Sequence, residues 1–145
     1  MGSWTDFVGD EYKAFSGTAV YTTTINKVPV ADVIKLNLGT VAENASVYLN
    51  GEYIGTVIDS PYQLYIPAEK FKGQDELVVR VANSMANRIA YMDKKGVDWK
   101  IFYNVNMSAR KKENVKNGIF DASDWEPKSS GLLGPVTLTP AMVKQ

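Results

Sequence analysis

The chain has 145 residues with 16 basic and 16 acidic side chains, and it contains neither cysteine nor histidine. That excludes disulfides, thiolate nucleophiles, Cys/His zinc sites and a Ser-His-Asp relay built within it. The balanced charge gives no global pull toward nucleic acid or an anionic membrane, so neither is expected as a partner.

A chain of this length predicts one domain with its own core, able to bury roughly 68–70% of its unfolded surface without metal or disulfide staples. "MGS" at the start reads as a cloning remnant (residues 1–3) with no leader pattern behind it, which predicts a single domain, residues 4–145, cut from something longer. No apolar run approaches the ~20 residues that span a bilayer.

The dominant period is two. "GTAVYTTTI" (Gly17–Ile25) is rich in β-branched residues and alternates between faces. In "VIKLNL" (Val33–Leu38), Ile34, Leu36 and Leu38 share one face, and "ASVYLN" (Ala45–Asn50) points Val47 and Leu49 inward. Strict alternation marks strands with one face on a core and the other on solvent. Asn50-Gly51 between alternating runs signals a hairpin, because both central residues of a type I′ turn need positive φ. The returning strand runs from Glu52 to about Ile58. "YQLYI" (Tyr62–Ile66) is a further strand, and Leu77, Val79 and Val81 form the inward face of one over Glu76–Val81. A final strand lies around Val136–Thr139, entered through Gly134-Pro135 as a strand at a sheet edge, where the missing N–H of proline does little harm. Strands every 10–14 residues or so, without helical patterns between them, predict an all-β antiparallel sandwich or barrel.

From Asn83 to Gly131 the text turns polar and aromatic, with little period, and a segment this long usually carries function or covers a partner. "WKIFYNV" (Trp99–Val105) reads as a strand. "SARKKENVKNG" reads as a short helix, with Ser108 as N-cap and Asn117-Gly118 as the stop.

"ASVYLNGEYIGTVIDSPYQLYIPAEKFKGQDELVVRVANS" resembles the sugar-binding-like β-sandwich of glycoside hydrolase family 2. That pattern has an apolar strand, Asn-Gly, a Gly soon after, a partly aromatic loop and then G-x-[ND]-x-L-x-V-x-V-x-N. Gln74-Asp75-Glu76-Leu77 stands in a modest departure from it. "NSMANRI" and "SSGLLGPVTLTP" are similar to the accessory domains of rhamnosidase-like enzymes of family 106. The resemblance covers about Phe15–Pro140, weakly between Asp93 and Ser129. It implies a galactose-binding-domain-like jelly roll, a non-catalytic role beside a catalytic domain carried elsewhere, and a secreted or periplasmic setting for the parent enzyme.

Glycoside hydrolysis would need two carboxylates about 5–9.5 Å apart, one with a raised pKa. Sixteen acids supply many pairs, but none sits in a recognisable signature, so solvated surface charge is the expected role. "SARK" (Ser108–Lys111) matches S-x-x-K without its companion motifs. The Arg110-Lys111-Lys112 cluster fits a solvated face better than a nucleic-acid stripe. "NAS" at Asn44 and "NMS" at Asn106 match glycosylation acceptors, a pattern common by accident.

Sugar binding has better support. Sugar C–H faces lie on aromatic rings, and hydroxyls need amide, carboxylate or guanidinium partners. The irregular region supplies Trp99, Trp125, Tyr91, Tyr103 and Phe102, with Asn87, Arg88, Asp93, Asp98 and Asp124. The competing role for these aromatics is a second small core beneath a long loop, and for Arg88 a buried pair that pins the loop. Calcium needs 6–8 oxygens. Related sandwiches often hold one, and Gly9–Glu11 and Asp93 could contribute, but no D-x-D-x-D-G loop is present. The expected partners are therefore a glycan or plant polysaccharide and the catalytic domain of a parent enzyme. Two other readings stay open: an autonomous carbohydrate-binding module, and a small stand-alone enzyme on the same scaffold.

Overall fold

A computed structural model describes residues 1–103 and 111–141. In chain order the elements are α1 (Asp10–Lys13), β1 (Thr18–Ile25), β2 (Val33–Asn37), β3 (Thr40–Ala42), β4 (Asn44–Leu49), β5 (Glu52–Val57), β6 (Gln63–Pro67), β7 (Asp75–Ala82), α2 (Ala86–Lys94), β8 (Val115–Lys116), β9 (Ile119–Phe120), β10 (Gly131–Gly134) and β11 (Thr137–Pro140). Two compact units result, one formed by Met1–Trp4, Gly17–Asn83 and the chain from Ser129 onward, the other by Thr5–Ser16 and Ser84–Lys128.

The first unit is an antiparallel β-sandwich. One sheet has the order β1-β7-β4-β5 and another the order β11-β2-β6, with β10 and β3 paired beside them. The alternation read from the sequence is the cause. Ile34, Leu36, Leu38, Val47 and Val81 each have no exposed surface. Leu36, Leu38 and Ile66 from one side meet Val47, Leu49, Leu77 and Val79 from the other in a single cluster. Burying each such side chain is worth ~1.5–3 kcal/mol, so these inward faces hold the layers together. β11 is an edge strand, as its Gly-Pro entry predicts.

Asn50 and Gly51 have φ of 51° and 81°, the paired left-handed residues of a type I′ turn. The Asn50 side chain also ties the hairpin to β7. Its Nδ2 donates to Asp75 Oδ1 at 2.7 Å, and its Oδ1 accepts from Glu76 N–H at 2.9 Å. Asp75, 1% exposed, accepts further from the N–H groups of Lys72 and Gly73 at 2.8 and 3.1 Å. Gly39 forms a parallel bridge to Gly134. A Cβ on Gly39 would lie 2.3 Å from the Gly134 carbonyl carbon, so only glycine fits.

The second unit departs from the sequence reading in three places. Trp99–Tyr103 is not a strand: Ile101, Phe102 and Tyr103 lie in bends and are exposed, while Trp99 and Lys100 are tied down elsewhere. Asn104 and Val105 lie outside the described residues, as do Ser108 and the cap placed on it, Arg110 and the Asn106 sequon. The helix expected over Ser108–Gly118 is absent from Lys111 onward. Lys112–Asn114 is a 3-10 turn leading into the β8–β9 hairpin, and Asn117-Gly118, with φ of 51° and 79°, closes that hairpin instead of ending a helix. The Asn-Gly pair has the same turn chemistry here as at Asn50-Gly51, and it overrides the lysine-rich helical composition. The region also holds α2. Met85 at its N-cap makes no side-chain cap bond and its first turn has no acid, which is why no start signal marked it.

Candidate functional site

The second unit has its own small apolar cluster, Phe120 and Ala122, covered by Ile89, Trp99 and Trp125. α2 and the β8–β9 hairpin position the polar groups around it. Asp93, near the end of α2, has a side chain 1% exposed. It accepts from Trp99 Nε1 at 2.7 Å and Lys100 Nζ at 2.5 Å on one oxygen, and from Ala122 N–H at 2.8 Å on the other. A carboxylate so saturated is a structural hub, and Trp99 is half-buried with its N–H spent on it.

Trp125 is placed differently. Its Nε1 donates to Asn114 Oδ1 at 2.8 Å and its ring stands edge-on to Phe120, with centroids 5.7 Å apart at 75°. These contacts fix the plane of the indole, which is only half-buried. On one side lies a recess of about 470 Å³, bounded also by Tyr91, Lys95, Asp124 and Glu126. A second of about 510 Å³ shares Trp125, Asn87, Asp124 and Glu126 and continues past Lys111 and Glu113. Both volumes lie in the range of small-ligand sites.

The remaining candidates sort by these contacts. Asn87 borders both recesses, but its amide is consumed by the backbone of Lys128, donating to its carbonyl and accepting from its N–H, each at 2.8 Å. Asp124 is exposed, 3.0 Å from Lys116. Arg88 is exposed, its guanidinium 5.8 Å from the Tyr91 ring centre, rather than a buried pin. Lys95 stands 5.6 Å from the same ring and 3.2 Å from Asp10. Tyr103 and Phe102 are 56% and 75% exposed and border neither recess. Asp98 is exposed and likewise away from them. Glu126 was missed by sequence reasoning. Its place beside Trp125, in the Asp-Trp-Glu run, was the available signal.

Lys116 sits between two acids, 3.3 Å from Asp121 and 3.0 Å from Asp124. The Asp124 carboxylate foremost, with Asp121, raises the Lys116 ammonium above its ordinary value. The Ser123 hydroxyl holds the Asp121 carboxyl below the usual range, overcoming its burial. A general acid for glycoside cleavage needs the opposite shift. Among the described residues, no three acidic side chains gather in a group that could hold a metal ion.

The fold is an antiparallel β-sandwich, and the chain is similar to short stretches of much longer glycoside hydrolases. Over 95% of its length the chain is similar, at 32% identity, to a "Putative beta-glucuronidase" of Formosa agariphila, and it spans 13% of that protein. A rhamnosidase from Novosphingobium sp. PP1Y matches 94% of the chain at 28% identity with a TM-score of 0.73, the chain spanning 12% of it. A GH2 beta-galacturonidase from Eisenbergiella tayi matches 57% of the chain at 21% identity, with a TM-score of 0.47 and 14% of its own length covered. No protein-family model matches. The resemblance to glycoside hydrolase accessory sandwiches, read from the order of the strand motifs, is borne out, as is the all-β fold.

Proposed function

We propose that this chain is a non-catalytic accessory β-sandwich of a larger secreted or periplasmic glycoside hydrolase, resting against its catalytic domain and offering glycan contacts from its second unit. The observation that carries this reading is the mismatch of lengths: nearly all of this chain matches 12–13% of two enzymes of that kind. The isolated chain should release no chromophore from aryl β-glucuronides or aryl α-rhamnosides. Turnover that disappears in Asp124→Asn or Glu126→Gln would overturn the proposal.

A second reading, an autonomous carbohydrate-binding module, is favoured by one observation: Trp125 is held rigid and half-buried beside open recesses. Preset aromatic platforms lose little entropy on binding. Affinity electrophoresis against a polysaccharide panel separates the two. Retardation abolished by Trp125→Ala favours the module, and unretarded migration throughout favours the packing role.

A further inference from the structure

The two recesses beside Trp125 are neighbours sharing one ring and two carboxylates, Asp124 and Glu126. Each on its own has the volume of a small-ligand site. Trp125 stands where they meet, anchored by Asn114 behind and Phe120 at its edge, so it can present a flat apolar surface at the junction. A single sugar would occupy one recess and leave the other wet. A chain of sugars could rest one unit at the indole and extend into both.

Charge narrows the class. The residues bordering the two recesses include four lysines and four acids. A polyanionic chain would gain from the lysines and lose as much to the acids, whereas hydroxyl groups donate to carboxylates and accept from ammonium groups alike. Resting on the carbohydrate-binding reading above, we infer that the second unit binds an uncharged oligosaccharide of at least two units lengthwise, with Trp125 between its subsites.

The test is calorimetry of the full chain with neutral cello-, xylo-, manno- and galacto-oligosaccharides of one to six units, with oligogalacturonides as the charged arm. At least one neutral series should gain tenfold or more in affinity between one and three units, with intrinsic tryptophan emission shifting in parallel. Trp125→Ala should abolish binding at every length. Because that ring also covers Phe120, two exposed side chains serve as folding-neutral variants. Lys95→Met on one side and Glu113→Gln on the other should each erase most of the length gain. A monosaccharide that binds as tightly as its trimer overturns the two-subsite inference while sparing the carbohydrate reading. Oligogalacturonides binding more tightly than every neutral series overturn the uncharged class alone. No heat with any sugar, from a chain whose spectra show it folded, removes the carbohydrate reading and this inference with it.

Discussion

At the residue scale, two glycines with positive φ carry different physical demands. Gly51 (φ 81°) has no atom within 4 Å of where a Cβ would stand, so a side chain there meets only the backbone penalty of the left-handed region. Gly39 (φ 68°) adds a collision at 2.3 Å with the Gly134 carbonyl, which belongs to backbone and cannot swing aside. Gly51→Ala should therefore cost about 1–2 kcal/mol, and Gly51→Val more because β-branching worsens the same strain. Gly39→Ala should exceed both and separate β3 from β10, a loss of about 3 kcal/mol or greater. Denaturant midpoints of the three variants give the order. A Gly39→Ala protein as stable as Gly51→Ala would contradict the close approach at that bridge.

At the scale of elements, the Asn50–Asp75 clamp joins the β4–β5 hairpin to the start of β7, and it makes stability depend on acid. Burial pushes the Asp75 carboxyl up, but the Asn50 amide, the Lys72 and Gly73 N–H groups and the Lys72 charge together hold it below its ordinary 3.8. The unfolded chain then takes up the proton first as pH falls. The clamp's contribution is complete above that ordinary value and is lost as pH drops from it through the lower folded value. Asp75→Asn should cost about 1–3 kcal/mol at pH 7, because buried N–H donors lose their charged acceptor. It should also flatten the fall in stability between about pH 4 and pH 2, read from urea midpoints across that range. An Asp75→Asn protein with an unchanged acid limb would remove the clamp from the account. Elements of this kind were legible where a period and a turn coincided: β1, β2, β4, β5 and β7 follow from alternation, and the Asn50-Gly51 hairpin from turn chemistry. β3 and β10 were not, being three and four residues long and set by a glycine-to-glycine approach that no local pattern records. At the candidate site, Trp125, Tyr91 and Asp124 stand among the aromatics and acids that the sequence singles out in its irregular region, although Tyr91 lies on α2. That Asp93 and Trp99 belong to the support beneath depends on hydrogen bonds reaching up to 29 positions along the chain, which residue spacing does not reveal.

At the scale of the whole molecule, two compact units mean two cores of unequal depth. The sandwich has a wide apolar interior shared by its sheets, while among the described residues the second unit's cluster is built on two buried hydrophobic side chains, Phe120 and Ala122. With so little apolar burial, the second unit must draw much of its order from polar contacts, and Asp93 is their centre. Removing it leaves the Trp99 indole N–H, the Lys100 ammonium and the Ala122 N–H without their shared acceptor, an uncompensated loss of about 2–4 kcal/mol. A loss that size is large against a small core and modest against the sandwich. Hydrogen exchange read by mass spectrometry should show Asp93→Ala exchanging faster through α2 and the β8–β9 hairpin, while β2, β4 and β7 keep their protection. Asp93→Asn, which retains acceptor capacity on one oxygen, should fall between. If β4 and β7 lost protection together with α2, the two cores would be one cooperative body, and the recess beside Trp125 would owe its shape to the sandwich rather than to the Asp93 hub.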